Sequence, residues 1–322
     1  MLHIRPFERT VDNYDRVVQL HNAVWPDHLT AVGEWQHLDR TRDPKYFYQR
    51  VLVELNGQVV GYAIYQEPSW SYKPGKYFVM ATVHPDHEGH GVGNALYEHM
   101  LAALAPRQPR VLASTTRENY AKAIRFLEGR GFTQVMRFPI SELEVDAFNP
   151  APYQGLSHQL ASQGVHVRSI AQLKAMEPQW KQRLHELINE VLEDVPSPDP
   201  ITMESFEQFD QQRLNSPRFL PEGYFVAMEG GRMVGLSALW KNEVDPHKLH
   251  TGLTGVRRSH RRRGICTALK VRAIQYAKAY GAKVIETDNE EHNPMFQINL
   301  QLGFKAQPAM LEFSKELDSQ SA

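Results

Sequence analysis

The chain has 322 residues, 36 basic against 37 acidic side chains, a formal net charge of −1 and one cysteine. That length suits about two domains. A balanced charge removes any global electrostatic case for nucleic acid or an anionic membrane as partner, and a lone cysteine excludes an internal disulfide framework and fits a reducing compartment. The N-terminal Met1-Leu2-His3-Ile4-Arg5-Pro6 lacks the apolar centre of a signal peptide, and no run approaches membrane-spanning length. A cytoplasmic protein without membrane or nucleic-acid partners is expected.

Leu2 to Pro6 reads as a short strand closed by proline, and Asn13 to Val24 carries a helical pattern. Val51 to Leu55 and Val59 to Tyr65 form a hairpin. A further strand, Tyr77 to Val83, feeds a glycine loop and a helix, and Val111 to Thr115 leads through a short helix to Gly131-Phe132 and a last strand, Val135 to Leu143. Phe148 to Gly164 holds two prolines and two glycines and reads as a connection. The same order then returns. Val167-Arg168 starts it, Gln179 to Leu192 is helical, Tyr224 to Met228 pairs with Met233 to Trp240, and Leu249 to Val256, Val284 to Asp288 and Ala309 to Leu317 follow as strands.

Three anchors show that the return is a repeat. Gly61 to Gly235, Gly91 to Gly264 and Gly131 to Gly303 are spaced by 174, 173 and 172 residues. The opening strands, Ile4 and Val167, are spaced by only 163, so the second copy carries about ten extra residues before its hairpin. They are placed near Asp194 to Phe206, where Val195-Pro196-Ser197-Pro198-Asp199-Pro200 cannot continue a helix. The mixed order implies an α/β (α+β) fold, a twisted sheet with helices on both faces, written twice. The expected division is 1–148, a linker over 149–163, and 164–322.

Gly255 to Ala268 reads as a strand end, a basic loop turning at Gly264, and the first turn of an amphipathic helix. Free amides at a helix start, a glycine that lets the backbone come close, and several arginines make a seat for phosphates. A pyrophosphate-bearing ligand is the first expectation. No aromatic platform is interleaved with Arg257, Arg258, Arg261, Arg262 and Arg263, which argues against single-stranded nucleic acid. His87-Glu88-Gly89-His90 has its histidines three apart with glycine between, so no metal site is expected.

Arg261-Arg262-Arg263-Gly264-Ile265-Cys266 resembles the R/Q-x-x-G-x-G/A signature of GCN5-related N-acetyltransferases (GNATs), with Cys266 where the family has glycine or alanine. Gln301-Leu302-Gly303-Phe304 is similar to the family's Leu-Gly-Phe turn. The resemblance implies two tandem GNAT-like domains, each a mostly antiparallel mixed sheet flanked by helices, in an architecture similar to that of mycothiol synthase. It implies acetyl-CoA as co-substrate, an amine acceptor, and a pyrophosphate cradle of Arg261, Arg262, Arg263, Gly264, Ile265, Cys266 and Thr267. It further implies that the Val256 or Val83 amide polarises the thioester, that the fourth and fifth strands of a copy splay to admit the pantetheine arm, and that Asn293 contacts that arm. In the first copy the corresponding loop is Gly89, His90, Gly91, Val92, Gly93 and Asn94, with Glu88 in place of the family's Arg or Gln.

The family's thiolate-protonating tyrosine corresponds to Asn299 here and Leu127 in the first copy, neither an acid in water. Glu286 is the first candidate base and Asp288 the second, since a carboxylate beside splayed strands could drain a proton through water. The first copy has Ala113 and Thr115 there. The expected activity is acetyl transfer to an amine of a small molecule, with chemistry in the second copy of a monomer or homodimer. A protein or peptide N-acetyltransferase is the rival among enzymes, and the tyrosine missing from both copies makes a non-catalytic acyl-CoA-binding module the rival from another class. The extra residues near Asp194 to Phe206 fall over the family's acceptor site and are candidates for substrate selection.

Overall fold

Two glycine hairpins set the sheet geometry. Asn56 (φ 52°) and Gly57 (φ 83°) in one, and Gly230 (φ 53°) and Gly231 (φ 76°) in the other, are all left-handed. This is the turn whose twist matches that of the strands it joins. The computed structural model describes residues 1–317. In chain order they form β1 (Leu2–Pro6), α1 (Val11–Val24), α2 (Val32–Thr41), β2 (Tyr48–Leu55), β3 (Gln58–Gln66), β4 (Lys76–Val83), α3 (Val92–Leu104), β5 (Val111–Arg117), α4 (Ala121–Glu128) and β6 (Thr133–Glu144). Then come α5 (Leu156–Ser162), β7 (Val165–Ser169), α6 (Ile170–Lys174), α7 (Trp180–Leu192), α8 (Phe206–Phe209), β8 (Phe219–Glu229), β9 (Arg232–Lys241), β10 (Lys248–Val256), α9 (Ile265–Tyr280), β11 (Val284–Asp288), α10 (Pro294–Gln301) and β12 (Lys305–Glu316).

The chain divides into two compact units. One holds Met1–Arg137, Pro198–Thr202 and the chain from Ala309; the other holds Phe138–Ser197 and Met203–Pro308. The first unit's strands run β1-β2-β3-β4-β5-β12 and the second's β7-β8-β9-β10-β11-β6. In each, one pair is parallel, β4 with β5 and β10 with β11, and the other pairs are antiparallel. Each sheet is packed on both faces. In the first unit, Val92, Leu96 and Met100 of α3 cover one face with Val60 and Leu112, while Tyr14, Val17 and Trp35 of α1 and α2 cover the other with Leu52 and Tyr62. In the second, Ile265, Leu269 and Ile274 of α9 face Val234 and Ile285, and Trp180, Leu184 and Ile188 of α7 face Val226 and Leu236.

The last strands depart from the expected contiguous division. Met310 to Glu316 of β12 pair with Arg117 to Val111 of β5, and Ile140 to Glu144 of β6 pair with Asp288 to Val284 of β11. Each unit is thus completed by the final strand of the other repeat. Two copies of one fold offer the same open edge and the same alternating strand, so local pattern is indifferent to which pairing forms. The stretch 149–163 also differs from a plain linker. It contains α5, whose Leu160 is buried in the second unit's core, with Phe148, Tyr153 and Leu156 packed against that core.

Candidate active site

The second unit's site opens where two strands part. β10 and β11 pair at three rungs, Lys248 with Val284, Leu249 with Ile285 and His250 with Glu286. Past His250, β10 bulges against β9: Thr251 sits opposite Leu239 but Thr254 opposite Ser237, so one extra residue is taken up between them. A bulge bends its strand and ends regular pairing. Alternate amides between Thr251 and Val256 therefore point into an opening rather than at a neighbouring strand. The first unit opens similarly after Lys76 with Val111, Tyr77 with Leu112 and Phe78 with Ala113. Its β4 pairs with β3 without a bulge.

Gly264 (φ 80°) caps the N-terminus of α9, and Arg262 (φ 62°) precedes it in the same left-handed region. This winding aims successive amides to one side. The first amides of α9 have no carbonyl of their own helix to bond, so those of Ile265, Cys266 and Thr267 are open donors of the kind that suits an anion. At its other end α9 closes on Gly281 (φ 91°), with the Ala282 amide donating to Ala277 and the Gly281 amide to Lys278.

The arginines divide sharply. Arg257 is buried and pairs with Glu190, while its Nε donates to the Met233 carbonyl at 2.7 Å. Arg258 grips Asp194 through two nitrogens, the shorter contact 2.6 Å, and Arg261 also closes on Asp194. Hydrogen bonds from Arg258 and then Arg261 hold the Asp194 carboxyl down to about 2. Arg263 lies 2.8 Å from Glu229. Of the arginines expected to meet phosphate, Arg261 and Arg263 are thus already engaged by carboxylates. Arg262 alone of the five is exposed with no carboxylate partner among the described residues.

A cleft of about 780 Å³ joins these parts. Gly264 to Thr267 form one end, Thr251 to Val256 the strand wall, and Asp288, Asn289, Asn293 and Met295 the opposite wall. Asp194, Val195 and Pro196, the start of the inserted segment, line it too. Asn293 Oδ1 accepts from the Met295 amide at 2.9 Å, capping α10. Cys266 Sγ lies 3.5 Å from Met295 Sδ, and burial pushes its thiol up to about 11, which suits packing rather than nucleophilic attack.

The candidate bases separate. Asp288 lines the cleft with its side chain half exposed. Glu286 is 5% exposed and lies outside the lining, with Lys248 Nζ at 2.7 Å. Asn299 is fully buried, so it cannot reach a leaving thiolate; its Nδ2 donates to Oδ1 of Asn289, a lining residue, at 2.6 Å. Neither Glu286 nor Asn299 touches the cleft directly. The residue that sequence pattern missed is His250, which lines the cleft on the last paired rung beside Glu286. Its signal was faint, because an imidazole in a half-buried strand reads equally as a packed side chain.

In the first unit, Gly91 (φ 80°) caps α3 and Gly89 (φ 78°) precedes it, and a Cβ at either position would meet open space. Val83 ends β4, His90 links the two glycines, and Val92, Gly93 and Asn94 form the first turn of α3. Glu88, expected to repel phosphate, is held by Lys122 Nζ at 2.5 Å, and Arg130 donates to Asn94 Oδ1 at 2.5 Å. Among the described residues no group of three or more metal-ligating side chains gathers, and no helix is long and apolar enough to cross a membrane.

A family model described as the acetyltransferase (GNAT) family matches residues 13–132 and again 184–300. Among solved structures, the chain is similar to a tandem GNAT protein from the clavulanic acid biosynthesis pathway, in a form without acetyl-CoA. The TM-score is 0.77 at 19% identity, with all of both chains covered. It is also similar to a GCN5-related N-acetyltransferase from Sphaerobacter thermophilus, with TM-score 0.70 at 20% identity, covering 98% of this chain and 95% of that one. At such identities the likeness is one of fold. No curated protein matches the sequence. Matched once in each repeat, the chain belongs to the acetyltransferase (GNAT) family as a tandem, two-domain member.

Proposed function

We propose that the second unit transfers an acetyl group from acetyl-CoA to an amine of a small-molecule acceptor. The observation that carries this reading is one continuous cleft, running from the amide cradle at Gly264 to the gap beside His250 and Asp288. Amides of Ile265 to Thr267 and the unpaired Arg262 suit the diphosphate. The gap between β10 and β11 suits the pantetheine arm, and the opened amides of Thr251 to Val256 suit the thioester oxygen as negative charge gathers on it. A thiol of pKa about 8.5 leaves without a dedicated acid, so a buried Asn299 in place of the family's tyrosine does not stop the reaction. Val195 and Pro196 of the inserted segment also line the cleft, and in this reading they help select the amine.

The test is thiol release from acetyl-CoA across a panel of small amines and peptides, alongside calorimetric titration. Small amines are expected to raise release well above background. Gly264→Asp, which puts charge and bulk into the cradle, is expected to abolish it. Tight acetyl-CoA binding with no amine-dependent release would instead establish a binding module.

A further inference from the structure

Three adjacent strands of the second unit place a row of ionisable groups behind the cleft. Glu142 on β6 sits opposite Glu286 on β11, and Glu286 sits beside His250 on β10. Lys248 Nζ joins the two glutamates, 2.9 Å from Glu142 and 2.7 Å from Glu286. Burial pulls the lysine's proton affinity down, but hydrogen bonds to Glu286 and Glu142 outweigh it and raise it above the ordinary value. The lysine therefore stays charged and offsets two carboxylates that would otherwise repel each other.

His250 stands at the cleft end of this row. Its Nδ1 is buried without a hydrogen-bond partner and lies 3.6 Å from Glu286 Oε1. Its Nε2 lies 3.7 Å from Asp288 Oδ1. On the neighbouring β9 it faces Trp240, an uncharged neighbour. The groups acting on this imidazole are thus Glu286 and Asp288 of β11, Lys248 of its own strand and, through Lys248, Glu142 of β6.

Resting on the acetyl-transfer reading above, we infer that His250 is the proton acceptor for the attacking amine and that Glu286 is its positioning residue. With Nδ1–H turned to Glu286, Nε2 keeps its lone pair for the cleft. The amine nitrogen bonds to the acetyl carbon as the carbon–sulfur bond breaks. One amine proton passes to Nε2, the thiolate leaves with the sulfur electron pair, and the imidazolium returns its proton to solvent, from which the thiolate takes one. The imidazolium formed in between is met by carboxylates at both nitrogens. A two-sided arrangement of this kind lets a buried carboxylate act on the reaction without touching substrate. It also gives β6, a strand of the first repeat, a part in the second unit's chemistry through Glu142.

The experiment uses the full chain with acetyl-CoA and the best amine of the panel. His250→Ala is expected to lower kcat about 100-fold, to leave calorimetric acetyl-CoA binding unchanged, and to regain activity with added imidazole. Glu286→Gln is expected to lower kcat about tenfold while leaving the acceptor KM in place, and to cause no further loss when combined with His250→Ala. His250→Ala retaining a third or more of wild-type kcat, or the two losses multiplying in the double variant, would overturn the assignment. A wild-type chain inactive on every amine would remove the acetyl-transfer reading itself, and this assignment with it.

Discussion

Phe313, nearly at the end of the described chain, lies opposite Ser114 in the sheet of the first unit. Its ring is 1% exposed and packs in the same core as Leu96, Met100 and Phe132. A fragment ending at residue 148 therefore lacks the strand that completes β5 in the full chain and has only its own β6, whose Ile140 to Glu144 otherwise pair with β11, to offer that open edge. Expressed alone, residues 1–148 are expected to aggregate or give a collapsed state without sharp near-ultraviolet dichroism. Adding residues 305–317 through a flexible linker is expected to restore a cooperative melt. A well-folded, monomeric 1–148 fragment would contradict this.

Asp39 and Arg50 form a bidentate pair at 3.0 and 3.1 Å, both almost fully buried, and Tyr14 donates its hydroxyl to Asp39 at 2.8 Å. The guanidinium also lies over the rings of Phe7 and Trp35. Removing one member leaves a buried charge without its partner, at a cost of about 3–5 kcal/mol. Asp39→Ala is thus expected to lower the urea midpoint of the first unit strongly. An apolar replacement of both residues is expected to cost much less.

Lys270 is 3% exposed on α9, with Nζ 5.6 Å from the Phe304 ring centroid. Burial pulls its amine from 10.5 down to about 8. Below pH 8 the folded state carries the whole cost of the charge. Between 8 and 10.5 the folded chain sheds the proton before the unfolded one, so the cost fades as pH rises. Lys270→Met is expected to stabilise the protein by about 3 kcal/mol at pH 7 and by little near pH 10.5. Urea unfolding at the two pH values checks it, and a gain that does not shrink at high pH would be inconsistent with a buried charge.

Arg262 and Arg258 make a matched test of the phosphate seat. Arg262 is free to form a charged hydrogen bond, whereas Arg258 is engaged by Asp194. Arg262→Ala is expected to weaken acetyl-CoA binding about tenfold. Arg258→Ala is expected to change it less than about threefold, since Arg261 still neutralises Asp194. Gly91→Asp, confined to the first unit, is expected to leave turnover unchanged. Calorimetry and steady-state rates measure all three.

The sequence alone carried the repeat, the hairpins and the helix starts. These are local: Asn56-Gly57, Gly91, Gly230-Gly231 and Gly264 take left-handed backbone that side chains disfavour, so glycine spacing betrays them. The seat at Gly264 was legible for the same reason. What the tertiary structure decided were pairings at long range. Only it showed that β6 and β12 complete each other's repeat, that Asp194 and Glu229 claim most of the arginines, and that His250 rather than Glu286 lines the cleft. Such choices depend on which of several equally suitable edges and charges meet in space, and short-range pattern has no term for that.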